Sequence, residues 1–385
     1  MENTRRDNTF VATCVIYLVV LVGFIGLRII SGMSWIDNMD GWIIDVMFSV
    51  LSQVVLMVLV PLIGVMIYNR RKKRKADNFQ TNIPSSSGSS AMTFAEFMKN
   101  EKSETKSFER EKQEDDGVRG IFSSWAFKMP SMQLVGWSIL LGFCMFLFNI
   151  FVSSLFNGPL AGFGHRGASG GGDDVISAGA GWFFVVLIMT AVLPGFCEEV
   201  AHRGFLVKGF ASRIGIMNAV FLSSVLFGLM HLNIVQVFYA GVLGYLMCLA
   251  VVATRNIWPA IIIHFMNNAL ATYIGFFGSG LFNWFANFMG SMPLLFYFAF
   301  FIGMYFIIIA IIHKLARDNF IKDNAKREVP LPLHRSKTMM AIKYYVTAGE
   351  PKKREPLSPL EMTLICSIVF LGTVITIMTL VWGFL

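Results

Sequence analysis

Residues 181–203 read GWFFVVLIMTAVLPGFCEEVAHR, an apolar run that ends in two acids, a histidine and an arginine. A bilayer offers the backbone no hydrogen-bond partners, so so apolar a run reads as a membrane helix, paired within itself. Ionisable side chains at that depth are costly. Each is by default a functional-site candidate with a partner to be found. Two later stretches have the same character, FGLMH at 227–231 and HFMNN at 264–268.

Composition agrees with a lipid solvent. Of 385 residues, 55% are hydrophobic and 15% charged, more apolar surface than a soluble fold can hide. The net charge of +8 excludes little by itself, but Lys and Arg gather between apolar runs, which marks membrane orientation rather than nucleic-acid binding. Cys14, Cys144, Cys197, Cys248 and Cys366 stand singly in apolar stretches and read as small packing residues.

Apolar runs at about 10–30, 43–68, 134–155, 181–199, 214–231, 234–253, 257–277, 293–313 and 361–384 predict an all-α polytopic bundle of nine spans. The run from Phe10 is too long for a signal peptide and is expected to be retained. Arg70, Arg71, Lys72, Lys73, Arg74 and Lys75 follow the second run and place the N-terminus in the cytoplasm. Arg203, Lys208, Arg213, Arg255 and the basic stretch 314–357 then fall in expected inner loops, and the C-terminus is external. The short loops point to a bacterial plasma membrane. Five regions follow: a two-span hairpin with its basic cluster (1–75), a cytoplasmic insert (76–132), the membrane core (133–313), a basic cytoplasmic loop (314–360) and a last span (361–385) that reads as an appendage.

The insert opens on the flexible SSSGSS at 85–90. A capping-box spacing at Thr93 and Glu96 starts a charged helical segment. Ile121, Phe122, Trp125 and Met129 form one face of an expected interfacial helix. The insert is also a candidate docking site for a protein partner. In the loop 156–179, His165 with Asp173 and Asp174 is a metal candidate set against the plainer reading of a solvated loop. Pro194 is expected to kink the fourth helix or to begin a new one, with Glu198 and Glu199 in its first turns.

Side chains four apart share a helix face, so Glu199 pairs with Arg203 as a brace. Glu198 is left without an obligatory partner, although His202 also stands four residues on. A carboxylate in a partly apolar site with no ion pair is a candidate general base. His231 and His264 lie on other helices and can converge on it. Asn268, on the His264 face, is an amide donor suited to an oxyanion. Cys197, Ser223 and Ser224 read as packing residues, so activated water is the expected nucleophile. No cofactor is expected; zinc held by two histidines and a glutamate is the alternative.

The set EExxxR (198–203), FxxxH (227–231) and HxxxN (264–268), with Gly204 after the arginine, resembles the CPBP family of intramembrane endopeptidases, which includes the type II CAAX prenyl proteases and bacteriocin-processing proteins. The resemblance covers roughly 180–270. It implies that Glu198 activates water with His231, that His264 and Asn268 form the oxyanion site, and that Glu199 and Arg203 brace the fold, without metal. His202 departs from the family pattern, where an aromatic or aliphatic residue is usual, and it could compete with His231 for Glu198. The expected function is hydrolysis of a peptide bond in a membrane-associated peptide or protein. A catalytically silent scaffold or regulator is the alternative, and a proton-coupled transporter a third reading. One conflict stands in the sequence: Glu198 is expected near the inner end of its span, and His231 near the outer end of the next.

Overall fold

The structure is a computed structural model that describes residues 8–31, 41–81, 128–165, 180–278, part of 280–291, 293–327, 329–336, 338–348 and 354–383. The expected helices 93–116 and 121–129 therefore lie almost wholly outside the described residues. Helix α1 is Thr9–Ser31, and α2 runs from Gly41–Val50 through the π-helical Leu51–Leu59 into Val60–Thr81. Next come α3 (Met132–Gly162), α4 (Phe183–Ile214), α5 (Ile216–Met230), α6 (Ile234–Thr254) and α7 (Trp258–Phe277). The chain ends with α8 (Leu294–Asn324), α9 (Met339–Thr347) and α10 (Pro359–Trp382). Among the described residues there is no strand, and eight helices are long and apolar enough to cross a membrane.

Alternating direction is legible from the contacts. Thr9 meets Tyr68, Gly64 lies under Ile16 and Gly23 under Leu56, so α1 and α2 are antiparallel. Phe10 packs on Phe210, which puts the start of α1 beside the end of α4. Asn256, just past α6, donates to the carbonyl of Lys128 before α3, and Arg255 pairs with Asp323 near the end of α8. Small residues allow the closest pairing, α5 on α6: a Cβ on Gly228 would collide with the carbonyl of Val237 and touch Gly241.

Three expectations change here. The first concerns α4, which passes Pro194 without ending and carries Arg203, Lys208 and Arg213 inside the helix, not in a loop. A π-helical stretch, Ile188–Val192, precedes the proline, and such turns accommodate disrupted pairing. Arg203 tolerates burial, at 2% exposure, because Glu199 neutralises it. The depth conflict disappears with the same observation. Gly215, at φ 85°, reverses the chain, and Glu199 and His231 stand equally many residues to either side of it, about 24 Å along each helix. They meet at one level.

The second change is that the expected span 214–231 is the 15-residue α5, about 22 Å long against an apolar thickness of about 30 Å. It rises beside α6 only far enough to deliver His231. Third, α8 continues to Asn324, so the start of the expected basic loop is helical, with α9 packed on it.

The last span is no appendage. Glu361, 5% exposed, accepts from Arg213 Nε at 2.8 Å and Nη2 at 3.2 Å, and the arginine also donates to the carbonyls of Glu355 and Pro356. Ser358 and Glu361 form a capping box. At the far end Thr379 Oγ1 accepts from the backbone N–H of Ile234, the first residue of α6, and Gly372 lies against Leu229. Helix α10 thus holds the turn of α4 into α5 at one end and the α5–α6 tip at the other. Arg213→Ala should destabilise the protein by about 2 kcal/mol, the scale of charge-assisted hydrogen bonds. Thermal unfolding in detergent measures this, and an unshifted transition would show the tie to be idle.

Candidate active site

Burial separates the two adjacent glutamates. Glu199 faces inward at 0% exposure and its Oε1 accepts from both Arg203 Nη1 and His264 Nδ1, each at 2.8 Å. Arg203 Nη2 donates in turn to the carbonyl of Gly244 on α6 at 3.0 Å. Only a glycine fits there, since a Cβ would stand 2.8 Å from Phe227 and 3.2 Å from the guanidinium. Three helices are joined through one carboxylate.

Glu198 is half-buried and points elsewhere. Its Oε1 accepts from Gln53 Nε2 on α2 at 2.9 Å, a neutral donor that leaves the negative charge in place. His202 does not engage this carboxylate. Its Nδ1 bonds the Glu198 backbone carbonyl at 2.9 Å, and its ring is edge-on to Tyr17 of α1, whose hydroxyl donates to the carbonyl of Leu226 and lies 3.4 Å from His202 Nε2.

His231 caps α5, half-buried, with Nδ1 donating to the carbonyl of Phe227 at 2.9 Å. That bond fixes the tautomer and leaves Nε2 with a lone pair. Phe227 organises the centre. The rings of His202, His231 and His264 lie 5.0, 5.1 and 5.8 Å from its own, all edge-on, and the Arg203 guanidinium sits 4.3 Å above its face.

Asn268 lies one helical turn beyond His264 on α7, with one donor already in use. Its Nδ2 donates at 2.8 Å to the carbonyl of Thr190, the group that a regular helix would pair with the N–H that Pro194 lacks. Its Oδ1 accepts from Asn267, which accepts from Asn149 of α3. An amide nitrogen carries two protons, so the second remains for a ligand.

Residues 180–270 match the family model described as type II CAAX prenyl endopeptidase Rce1-like. The match covers the stretch that carries the CPBP-like motifs, about a quarter of the chain. No curated protein and no solved structure matched the chain.

The matched segment supplies Glu198, Glu199, Arg203, His231, His264 and Asn268, but not all of their surroundings. Gln53 and Tyr17 come from the first two helices, far outside the matched segment. Their signal was present as single polar residues in the apolar runs 43–68 and 10–30, and what they touch was not. Phe227 opens the FxxxH motif, but its contacts with three imidazoles and a guanidinium were not legible there, and Gly244 was hidden because an apolar residue in an apolar helix carries no mark of its neighbours. As to metal, among the described residues no three His, Cys, Asp or Glu side chains converge as ligands. His165 is buried against Gly383 of the α10 end, and Asp173 and Asp174 lie outside the described residues.

Proposed function

We propose that this chain is an intramembrane endopeptidase in which Glu198 and His231 activate water against a peptide bond of a membrane-associated peptide or protein. The observation that carries the reading is the contrast between neighbouring carboxylates. Glu199 is buried and neutralised by Arg203, whereas Glu198 is half-exposed, bound among the described residues to a neutral amide, and stands at the level of His231.

The chemistry follows from these groups. Glu198 takes a proton from water while His231 Nε2 accepts the other hydrogen of the same molecule, and the oxygen adds to the scissile carbonyl. The oxyanion is met by the second N–H of the Asn268 amide, beside His264, which Glu199 holds by Nδ1. Glu198 then returns its proton to the leaving amine. No metal takes part in this proposed sequence. The family description makes a prenylated C-terminal peptide a natural first probe, with the unprenylated peptide beside it.

The test compares protein N-termini in membranes from cells making the wild type and cells making equal amounts of Glu198→Gln. Termini present only with the wild type support the protease. Identical termini, with full coverage and a visible deletion phenotype, move the reading to a scaffold that uses the CPBP fold to bind a partner.

A further inference from the structure

We propose that Gln53 is a positioning residue for the hydrolytic carboxylate: its Nε2 holds Glu198 Oε1, and Oε2 is thereby the oxygen that receives the proton from water. The inference rests on the reading of Glu198 as the base. It places part of the working site on α2, beyond the matched segment.

Gln53 is costly where it stands. It interrupts the apolar sequence LSQVVLMVLV at 51–60 and is only 8% exposed. Its Nε2 donates to Glu198 at 2.9 Å, but its Oε1 is buried with no partner among the described residues. A glutamine kept for packing would be satisfied at both ends or replaced by an apolar side chain of the same shape. This one leaves a carbonyl unpaired, and its single side-chain bond goes to the candidate base.

The backbone is adapted to the same contact. Gln53 sits in the π-helical Leu51–Leu59, which packs directly against Leu193–Glu199 of α4, itself flanked by π-helical Ile188–Val192 and Val200–Leu206. Such turns widen the helix and re-aim side chains, and they recur at functional sites. The chemistry of the donor also matters. An arginine or lysine at this position would neutralise Glu198 as Arg203 neutralises Glu199. A neutral amide fixes one oxygen and leaves the charge for catalysis.

The experiment uses Gln53→Met in the full-length protein, purified in detergent and mixed with membranes from cells lacking the chain. Wild-type-dependent N-termini are followed as initial rates over a series of membrane concentrations. The saturating rate should fall about 10- to 100-fold, the cost of a misplaced reacting group, while the half-saturating concentration changes less than about threefold. The thermal transition should hold or rise, because the substitution also removes the unpaired Oε1; a structural glutamine would lower it. Gln53→Asn, one methylene short of Glu198, should show the same loss of rate and serves if the Met variant does not accumulate. A wild-type rate in both variants, or a lowered transition with an unchanged rate, overturns the proposal. If Glu198→Gln is inactive and Gln53→Met is not, Gln53 alone is refuted. If Glu198→Gln is active, or the wild type yields no new termini, the protease reading fails and takes the positioning role with it.

Discussion

Glu198→Gln is expected to remove the wild-type-dependent N-termini while leaving the protein in the membrane at normal abundance. The substitution keeps the shape and a carbonyl that can still accept from Gln53 Nε2, so the packing of α2 against α4 survives. What it removes is the proposed proton acceptor. General-base catalysis contributes about 10²- to 10⁴-fold, and a loss on that scale is read as disappearance of product at fixed protein. His202 is not placed to substitute, since its Nδ1 is bound to the Glu198 backbone carbonyl and its ring is enclosed by Tyr17 and Phe227. Retention of more than about a tenth of wild-type turnover would reject Glu198 as the base.

Arg203→Met should act on the fold first. It leaves Glu199 buried at 0% exposure without its cation and frees the carbonyl of Gly244. Removing one partner of a buried ion pair costs about 3–5 kcal/mol, a large part of the stability of an ordinary domain. The variant should therefore fail to accumulate in membranes. Pairing it with Glu199→Met removes the stranded charge, and replacement of a buried pair by apolar side chains is commonly neutral or stabilising. Accumulation should return. Activity should not, because His264 Nδ1 then has no carboxylate to hold it. Immunoblotting of membranes and the N-terminus assay read the two results separately. Normal accumulation of Arg203→Met would contradict the bracing role, and full activity of the double variant would contradict the orienting one.

These two expectations fall on neighbouring carboxylates because the core treats them differently, and only part of that difference could be read along the chain. The i, i+4 pairing of Glu199 with Arg203 is a property of helical spacing, and it stands as expected. That Glu199 also takes His264, and that Glu198 takes Gln53, depends on which helices lie beside α4. Spacing is silent on that. Likewise the sequence points to Asn268 as a donor, but the carbonyl it serves, Thr190, is exposed by a proline on another helix.

A helical membrane protein with a polar cluster at 198–268 is legible along the chain alone. Hydrophobic run length and the cost of burying charge are local quantities, readable one segment at a time. The gathering of basic residues gave only an expected alternation, and three of them, Arg203, Lys208 and Arg213, lie within α4. The remainder came from the packing of helix on helix. That packing carried α4 past Pro194 to Ile214, and so brought Glu199 and His231 to one level. It made α10 a clamp across the α4–α5 turn and the α5–α6 tip. It also brought Gln53 and Tyr17 from the first two helices into the site. Each of these is a contact between segments distant in the chain, set by packing of whole helix faces, and no local pattern encodes which face meets which.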